Sequence, residues 1–403
     1  MRLQFYSVIL LSLFGTAVGT AVGTAASADP AEFEQCTTQL QAQASAQGIS
    51  EATVKEVIPM LEYQARVIEL DRSQPEFTQS FADYLGKRVS QGRIDKGREL
   101  YAQYRDFLDE LTRTYGVPGQ YLVSFWGLET NFGSYMGGMP TLDSLATLAC
   151  DPRRSEFFTT EFLLALKLLE RENLRADDMK GSWAGAVGHT QFMPSNYLRY
   201  AIDGDNDGSI DLWGSRRDAL ASAANFLSQL GWQRQQRWGR EVKLPADYDF
   251  SQAVQQRPLQ DWRSLGLRNA DGGPLPVVAG MDAHLIIPSG HKGPVFLGYD
   301  NFNVIMQWNR STSYALSVGH LADRIAGAGA LKQSIPNDQA RLRRADVIQM
   351  QELLIEKGFD AGAPDGLLGP TTRSALREFQ ISAGLVGDGF PDRKTLAQLG
   401  VDY

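Results

Sequence analysis

The sequence predicts a mainly α-helical protein with a small β-containing insertion and a small three-helix module at its C-terminus. Apolar residues recur at helical spacing through most of residues 31–174, which is typical of amphipathic helices. Pro and Gly become frequent between residues 243 and 309, where short apolar segments stand between turns. After residue 343, two helical patterns flank Gly-rich loops, which indicates a separate compact unit.

The individual elements follow from local patterns. Capping residues, turn residues and apolar spacing set their approximate limits. Helices are predicted over 51–61, 96–115, 118–133, 157–172, 218–230 and 313–326, and strands over 277–278, 284–287 and 294–297. We therefore expect a main domain over 29–327, a linker over 328–343 and the module over 344–403.

The first 28 residues have the pattern of an export signal. Arg2 supplies a positive charge, an apolar stretch begins at Val8, and Ala26-Ser27-Ala28 offers an A-x-A cleavage site. The stretch is short and rich in small residues, which argues against a membrane-retained helix. No Cys lies near the cleavage site, so a lipoprotein anchor is not supported. We expect an exported, periplasmic protein without a stable membrane anchor.

Two further properties of the whole chain narrow the function. The formal net charge is −8 and there is no basic run, which excludes a general affinity for nucleic acid or for anionic membranes. Cys36 and Cys150 are the two cysteines, and an oxidising compartment allows a bridge between them. The alternative is two free buried thiols, because sequence does not show whether their Cα atoms are close. We favour the disulfide.

Glu129 is the only charged residue between Thr114 and Leu142. Its neighbours include Phe125, Trp126 and Leu128, and such surroundings disfavour the ionised form of a carboxylic acid. An acid that keeps its proton near neutral pH can protonate a leaving-group oxygen. The alternative is a surface glutamate at a helix end, so apolar context alone leaves both interpretations open.

A second stretch without Asp, Glu, Lys or Arg runs from residue 181 to 195, with the sequence G-S-W-A-G-A-V-G-H-T-Q-F-M-P-S. Ser182 and Gln191 supply neutral hydrogen-bonding groups, and Trp183 and Phe192 supply flat apolar surface. Glycines allow the backbone to approach a ligand closely. This mixture suits a carbohydrate, whereas the alternative is a tightly packed loop in a helical core.

Together the two stretches resemble the membrane-bound lytic transglycosylase B family, whose E-T-x-x-G and G-x-x-G-x-x-Q-F-M-P-S motifs are both present. The resemblance extends to residues 151–158 and 308–315 and covers residues 31–326. It implies a lysozyme-like fold with Glu129 as the sole catalytic acid and base. It also implies substrate-binding roles for Tyr84, Arg153, Arg154, Ser182, Gln191, Phe192, Asn309 and Tyr314. Trp308 and Phe226 stand where some relatives carry Tyr.

The family resemblance implies cleavage of peptidoglycan glycan strands between N-acetylmuramic acid and N-acetylglucosamine, with a 1,6-anhydro ring formed on the muramic acid. Most glycosidases need two carboxylates, and neither uncharged stretch offers a partner for Glu129. Two alternatives remain: a lysozyme-type hydrolase and a non-catalytic scaffold that binds the wall. Proteins of cell-wall synthesis or remodelling are the expected protein partners, and no catalytic cofactor is expected.

Residues 203–213 resemble the start of an EF-hand loop. Asp203, Asp205 and Asp207 occupy ligand positions 1, 3 and 5, and the Ser209 carbonyl occupies position 7. The twelfth position is Gly214, so the usual Glu is missing, and the family resemblance implies Asp218 as the late ligand of a longer loop. We expect a structural calcium ion; the alternative is an acidic turn without metal.

The C-terminal module resembles the peptidoglycan-binding-domain-1 family over nearly all its length. The string D-G-x-x-G-x-x-T-x-x-A-x-x-x-F-Q from Asp365 to Gln380 carries the resemblance. It implies binding to the cell wall, whereas the alternative is a structural appendage that binds nothing.

Overall fold

The computed structural model describes residues 30–73 and 79–402, so the predicted export signal lies outside the described residues. The helices are α1 Pro30–Ala46, α2 Glu51–Val57, α3 Ala65–Ser73, α4 Phe81–Arg88, α5 Gln91–Gln103, α6 Arg105–Tyr115, α7 Gly119–Thr130, α8 Thr141–Cys150, α9 Ser155–Arg171, α10 Pro194–Tyr200, α11 Arg216–Gln229, α12 Leu259–Ser264, α13 Asp300–Trp308, α14 Thr312–Ile325, α15 Arg344–Glu356, α16 Pro370–Ser382 and α17 Arg393–Leu399. The strands are β1 Met139–Pro140, β2 Lys180–Gly181, β3 Gly239–Lys243, β4 Arg257–Pro258, β5 Arg268–Asn269, β6 Asp282–Ile286 and β7 Val295–Gly298. The predicted fold class, mainly helical with a small β-containing insertion and a C-terminal helical module, is confirmed.

Helix α7 lies at the centre of the larger domain. It is apolar on all sides, as expected of a helix surrounded by protein, and it packs against α5, α6, α11 and α14. Leu122, Val123 and Phe125 are completely buried there. The helix ends where Asn131 adopts a left-handed conformation. This central position holds the C-terminal end of α7 rigidly within the domain.

The predicted helix over 96–115 is two helices in the structure. α5 ends and α6 begins at Tyr104, whose backbone departs from helical geometry (φ −101°, ψ 15°). The break brings the Tyr104 ring edge-on to Trp126, with 6.2 Å between the ring centroids. Packing against α7 therefore overrides a continuous helical pattern.

The β-containing insertion is a five-stranded antiparallel sheet with the strand order β4-β6-β7-β3-β5. The predicted strands at 284–287 and 294–297 correspond to β6 and β7, but the strand predicted at Val277-Val278 is wrong. Those two residues are in an exposed loop. The nearby residue Leu275 is buried and packs in the core of the insertion. Strands β3, β4 and β5 were not predicted, since they are short or rich in charged residues.

Cys36 and Cys150 form a disulfide, with 5.8 Å between their Cα atoms. The bridge joins α1 to the end of α8, and α8 also packs against α9. The favoured pairing is therefore confirmed, and it fixes the N-terminal helix to the segment that follows the Glu129 helix.

The three helices α15, α16 and α17 enclose a core of their own, with Met350, Leu354, Leu376 and Leu396 at its centre. The module also touches the larger domain. His291, in the turn between β6 and β7, contacts buried Asp388. Among the described residues, no helix is long and apolar enough to cross a membrane.

Candidate active site

Glu129 is at the last turn of α7 and is only partly exposed, in the wall of the larger domain. Its Oε1 atom accepts hydrogen bonds from the Tyr314 hydroxyl and from Trp308 Nε1, the latter at 2.9 Å. Burial raises the pKa of Glu129 to about 7, although both hydrogen bonds and the charge of Arg88 act in the opposite direction. The carboxyl group is therefore half-protonated near neutral pH, with its other oxygen left for a ligand.

The two uncharged stretches meet directly behind Glu129. Thr130 donates from Oγ1 to the carbonyl oxygen of His189 at 2.8 Å and accepts from the Gly133 N–H at 3.0 Å. Trp126 Nε1 donates to His189 Nδ1 at 3.1 Å. Burial, with Arg216 nearby, lowers the pKa of His189 to about 4, so its ring stays neutral and can accept this bond. These contacts join the last turn of α7, which carries Glu129, to the second uncharged stretch.

A tight turn follows Glu129. Asn131, Phe132 and Gly133 adopt positive φ angles of 48°, 61° and 80°. Only glycine fits the third position, because a Cβ there would overlap the His189 ring. The turn lets the chain leave α7 without covering the carboxyl group.

Gln191 and Ser182 shape the loop opposite that turn. Gln191 (φ 51°) donates from Nε2 to the carbonyl oxygens of Met136 and Gly188, each at 3.0 Å. Ser182 accepts from the Ala186 N–H at 3.1 Å, which closes the turn preceding this loop. Both side chains thus position the backbone of the two motifs, and the Gln191 amide ties the loop to the segment after Glu129.

Phe192 was expected to contact the sugar, but its ring is not exposed to a ligand. Its ring is buried, with 1% exposure, and is packed against Phe226 and Trp308 with centroid distances of 5.4 and 5.5 Å. A ring enclosed in this way offers no free face to a ligand. We correct its role to support of Trp308, which in turn holds Glu129.

Three more residues, Tyr84, Arg88 and Asn309, lie near the two donors to Glu129. Tyr84 is buried beside Tyr314, and the Arg88 guanidinium lies over the Tyr84 ring, 5.4 Å from its centroid. Asn309 is exposed next to Trp308, and its Oδ1 accepts from the Ser311 N–H at 3.1 Å. Tyr84 therefore lies beside one of the two donors to Glu129, and Asn309 follows the other donor in sequence.

Arg153 and Arg154 are placed elsewhere. Both guanidinium groups pair with Asp71 of α3, which is buried. Burial opposes ionisation of Asp71, but the hydrogen bonds from Arg153 and Arg154 hold its pKa below the usual range. The two arginines thus join α3 to the start of α9, and no contact links either of them to Glu129 in the described part of the chain.

The acidic loop brings three of the predicted calcium ligands together. Carboxylate oxygens of Asp203, Asp205 and Asp218 lie within 4.8 Å of one another. Asp218 is buried and is held by N–H groups of Gly204 and Asp211, both at 2.8 Å. Asp207 instead accepts from the Ser209 N–H and hydroxyl, so these two residues contact each other rather than the three-carboxylate group. Hard carboxylate oxygens converging in this way fit a calcium ion.

Sequence reasoning gave no role to Trp308, Arg88 or His189, although all three act on the site. Trp308 is within a motif that the family resemblance covers, so its position was a usable signal. Arg88 follows Tyr84 by one helical turn, which places both on one face of α4. His189 stands inside the second uncharged stretch, but nothing in the sequence shows that its ring accepts from Trp126.

Comparison with known proteins adds to this geometry. A family model described as a transglycosylase SLT domain matches residues 32–323, and a model for a peptidoglycan binding domain matches residues 343–399. The membrane-bound lytic murein transglycosylase B of Escherichia coli strain K12 is 33% identical over 262 residues. That alignment covers 60% of this chain and 66% of the relative's length.

Solved structures are similar as well. SltB3 from Pseudomonas aeruginosa, in complex with NAG-anhNAM-pentapeptide, has a TM-score of 0.88 and 42% identity, over 92% of this chain and 99% of that chain. The Escherichia coli lytic transglycosylase Slt35, in complex with calcium, has a TM-score of 0.63 and 28% identity, over 72% of this chain and 92% of that chain.

Proposed function

Because this chain belongs to the transglycosylase SLT family and carries a peptidoglycan-binding domain, we propose that it is a lytic transglycosylase of peptidoglycan. It cleaves the β-1,4 bond between N-acetylmuramic acid and N-acetylglucosamine and leaves 1,6-anhydro ends. The observation that carries this proposal is the environment of Glu129: a half-buried carboxyl group with a pKa of about 7 and two donors on one oxygen.

Glu129 acts first as an acid and then as a base. Its Oε2 oxygen, which accepts no hydrogen bond among the described residues, carries the proton to the glycosidic oxygen. The Tyr314 and Trp308 donors then stabilise the carboxylate that remains. The same carboxylate takes the proton of the muramoyl C6 hydroxyl, which attacks C1 and closes the anhydro ring. No water is consumed.

The surroundings of Glu129 favour this route over a hydrolase. A two-carboxylate glycosidase holds its second acid about 5 to 10 Å from the first. Among the described residues, the side chains that hydrogen-bond to the Glu129 carboxyl group are Tyr314 and Trp308, and neither is a carboxylate. The charge of Arg88 also favours the Glu129 anion that remains after proton transfer.

The other predicted residues serve substrate binding. Tyr84, Ser182, Gln191, Asn309 and Tyr314 line the glycan cleft, with Phe192 beneath it. Arg153 and Arg154 keep 44% and 40% of their side chains exposed, so each can still pair with a carboxylate of a peptide stem. These contacts orient the strand rather than take part in proton transfer.

A calcium ion held by Asp203, Asp205 and Asp218 would brace the segment between the Gln191 loop and α11; Asp207 and Ser209 would join it only after rearranging. The relative Slt35 was solved with calcium, which supports this assignment. The protein works in the periplasm after removal of residues 1–28, where peptidoglycan is its partner.

The test is digestion of purified sacculi, followed by mass spectrometry of the released muropeptides. A transglycosylase yields products one water lighter than those of a hydrolase. The Glu129→Gln chain is expected to release neither product while retaining its fold. Products of hydrolytic mass, or full activity of the Glu129→Gln chain, would contradict the proposal.

A further inference from the structure

The C-terminal module contains the same polar turn twice. In the first copy, Gln351 accepts the Gly366 N–H at 2.8 Å and donates from Nε2 to Asp365 Oδ1 and Thr372 Oγ1, each at 3.0 Å. Asp365 Oδ1 also accepts the Leu367 N–H at 2.8 Å. One buried amide thereby holds the turn in shape, with the aspartate at its outer edge.

The second copy repeats each bond. Gln380 accepts the Gly389 N–H at 2.8 Å and donates to Asp388 Oδ1 at 3.2 Å and Thr395 Oγ1 at 3.1 Å. Asp388 Oδ1 accepts the Phe390 N–H at 2.8 Å. Both turn glycines have positive φ, 75° in the first copy and 71° in the second. The two aspartates are therefore presented by equivalent frameworks.

The copies differ in what meets the outer carboxylate oxygen. Asp388 Oδ2 lies 2.8 Å from the His291 backbone N and 2.7 Å from its ring Nδ1, so one residue of the larger domain supplies two nitrogens to one oxygen. That contact leaves Asp388 only 6% exposed. Asp365 is exposed, and no described residue hydrogen-bonds or ion-pairs to its Oδ2.

The surroundings of the two turns correspond as well. Arg344 precedes Gln351 by seven positions, as Arg373 precedes Gln380, and each arginine backbone carbonyl lies against the turn glycine. Arg344 Nε donates to the Asp365 backbone carbonyl at 3.1 Å, and Arg373 interacts electrostatically with Asp388, where it does not prevent the contact with His291. Leu367, at the Phe390 position, is 41% exposed and adds an apolar surface next to the free carboxylate.

We propose that the Asp365 turn is a binding site for the peptide stem of peptidoglycan, using the chemistry with which the Asp388 turn binds His291. A stem offers main-chain amide N–H groups and the free amine of a diamino acid, which matches a carboxylate that takes two nitrogens. A glycan strand without stems offers hydroxyl and acetamido groups and no cation. The proposal rests on the wall-binding role of the module and specifies which part of the wall it recognises.

The experiment uses the full chain carrying Glu129→Gln, so that strands are bound and not cut. Its retention on intact sacculi is measured against protein concentration, with and without Asp365→Asn. Asparagine keeps the Oδ1 acceptor of the turn and replaces the outer oxygen by an NH2 group, which removes both the charge and the outer acceptor. We expect about a tenfold loss of affinity, the scale of one charge-assisted hydrogen bond.

Three controls make the result decisive. Glu352→Gln removes a different exposed carboxylate of the module, located in α15, and is expected to leave retention unchanged. Acetylating the sacculus amines should reproduce the loss for the parent chain and add nothing to Asp365→Asn. Glycan strands stripped of stems should bind both chains equally.

Equal retention of the parent and Asp365→Asn chains on intact sacculi would overturn the proposal, as would an equal loss on stripped strands. A melting curve that matches the parent's ties any loss to the missing carboxylate. The transglycosylase assignment is tested separately, by product mass with the unmodified chain. A negative result in the binding experiment therefore does not affect that assignment.

Discussion

Replacing Glu129 by Gln should make the folded protein more stable at alkaline pH than the unmodified chain. The ordinary pKa of the carboxyl group is 4.5, and burial raises it to about 7 in the folded state. A group whose folded pKa is raised contributes stability that is complete below pH 4.5 and is lost as the pH rises through 7. Glutamine has nearly the same shape and does not titrate, so it removes this loss.

The magnitude follows from the size of the rise. One pH unit corresponds to about 1.4 kcal/mol. The rise in pKa from 4.5 to about 7 then corresponds to a loss of about 3 kcal/mol of unfolding free energy, which occurs as the pH rises between these two values. The unfolding free energy of Glu129→Gln, relative to the unmodified protein, should therefore rise by that amount between pH 4 and pH 8.

Urea unfolding followed by tryptophan fluorescence is a suitable assay. All seven tryptophans lie between residues 126 and 308, so the signal reports on the larger domain and not on the module. Glu156→Gln, an exposed carboxylate at the start of α9, serves as the matched control and should show no such change with pH. If the Glu129→Gln difference stayed constant across this range, the carboxyl group would not be held in a protonated state by its surroundings.

Three further outcomes are expected. Trp308→Phe removes a hydrogen bond that lowers the pKa of Glu129, so the alkaline limb of the kcat/KM profile should move to higher pH; an unmoved limb would argue against that contact. Cys36→Ser opens a bridge with a sequence separation of 114 and should cost about 4 to 5 kcal/mol in urea unfolding under oxidising conditions, whereas an unchanged midpoint would mean that the bridge adds nothing. Calcium should raise the Tm of the unmodified protein and leave that of Asp218→Asn unchanged, as followed by calorimetry with chelator controls; equal responses of both chains would exclude the three-carboxylate site.

The sequence was sufficient for the larger features because they depend on local pattern. Glu129 was found from its isolation among uncharged residues, and α7, α9, α11 and α14 from their apolar spacing. The break at Tyr104 could not be found in this way, since it depends on the position of Trp126 in another helix. The insertion was harder still, because β3 carries three charged residues among five and is stabilised by pairing with β5 and β7.

In the candidate site, too, local motifs predict some features and only the folded chain shows the others. The motifs predict that Ser182, Gln191 and Tyr314 bind substrate, but a motif does not show which way a side chain faces. Phe192 was therefore expected to line the glycan cleft, although its ring is enclosed by Phe226 and Trp308. The pairing of Arg153 with Asp71 was also missed, because the partners are 82 positions apart and only the folded chain brings them together.

The turn from Asn131 to Gly133 has a consequence for how this protein can vary. Three successive left-handed residues exclude β-branched side chains, and the last admits no side chain at all. In a mutant library screened for folded protein, these positions should tolerate fewer replacements than the exposed Asn309. Backbone conformation would then restrict sequence variation at these three positions.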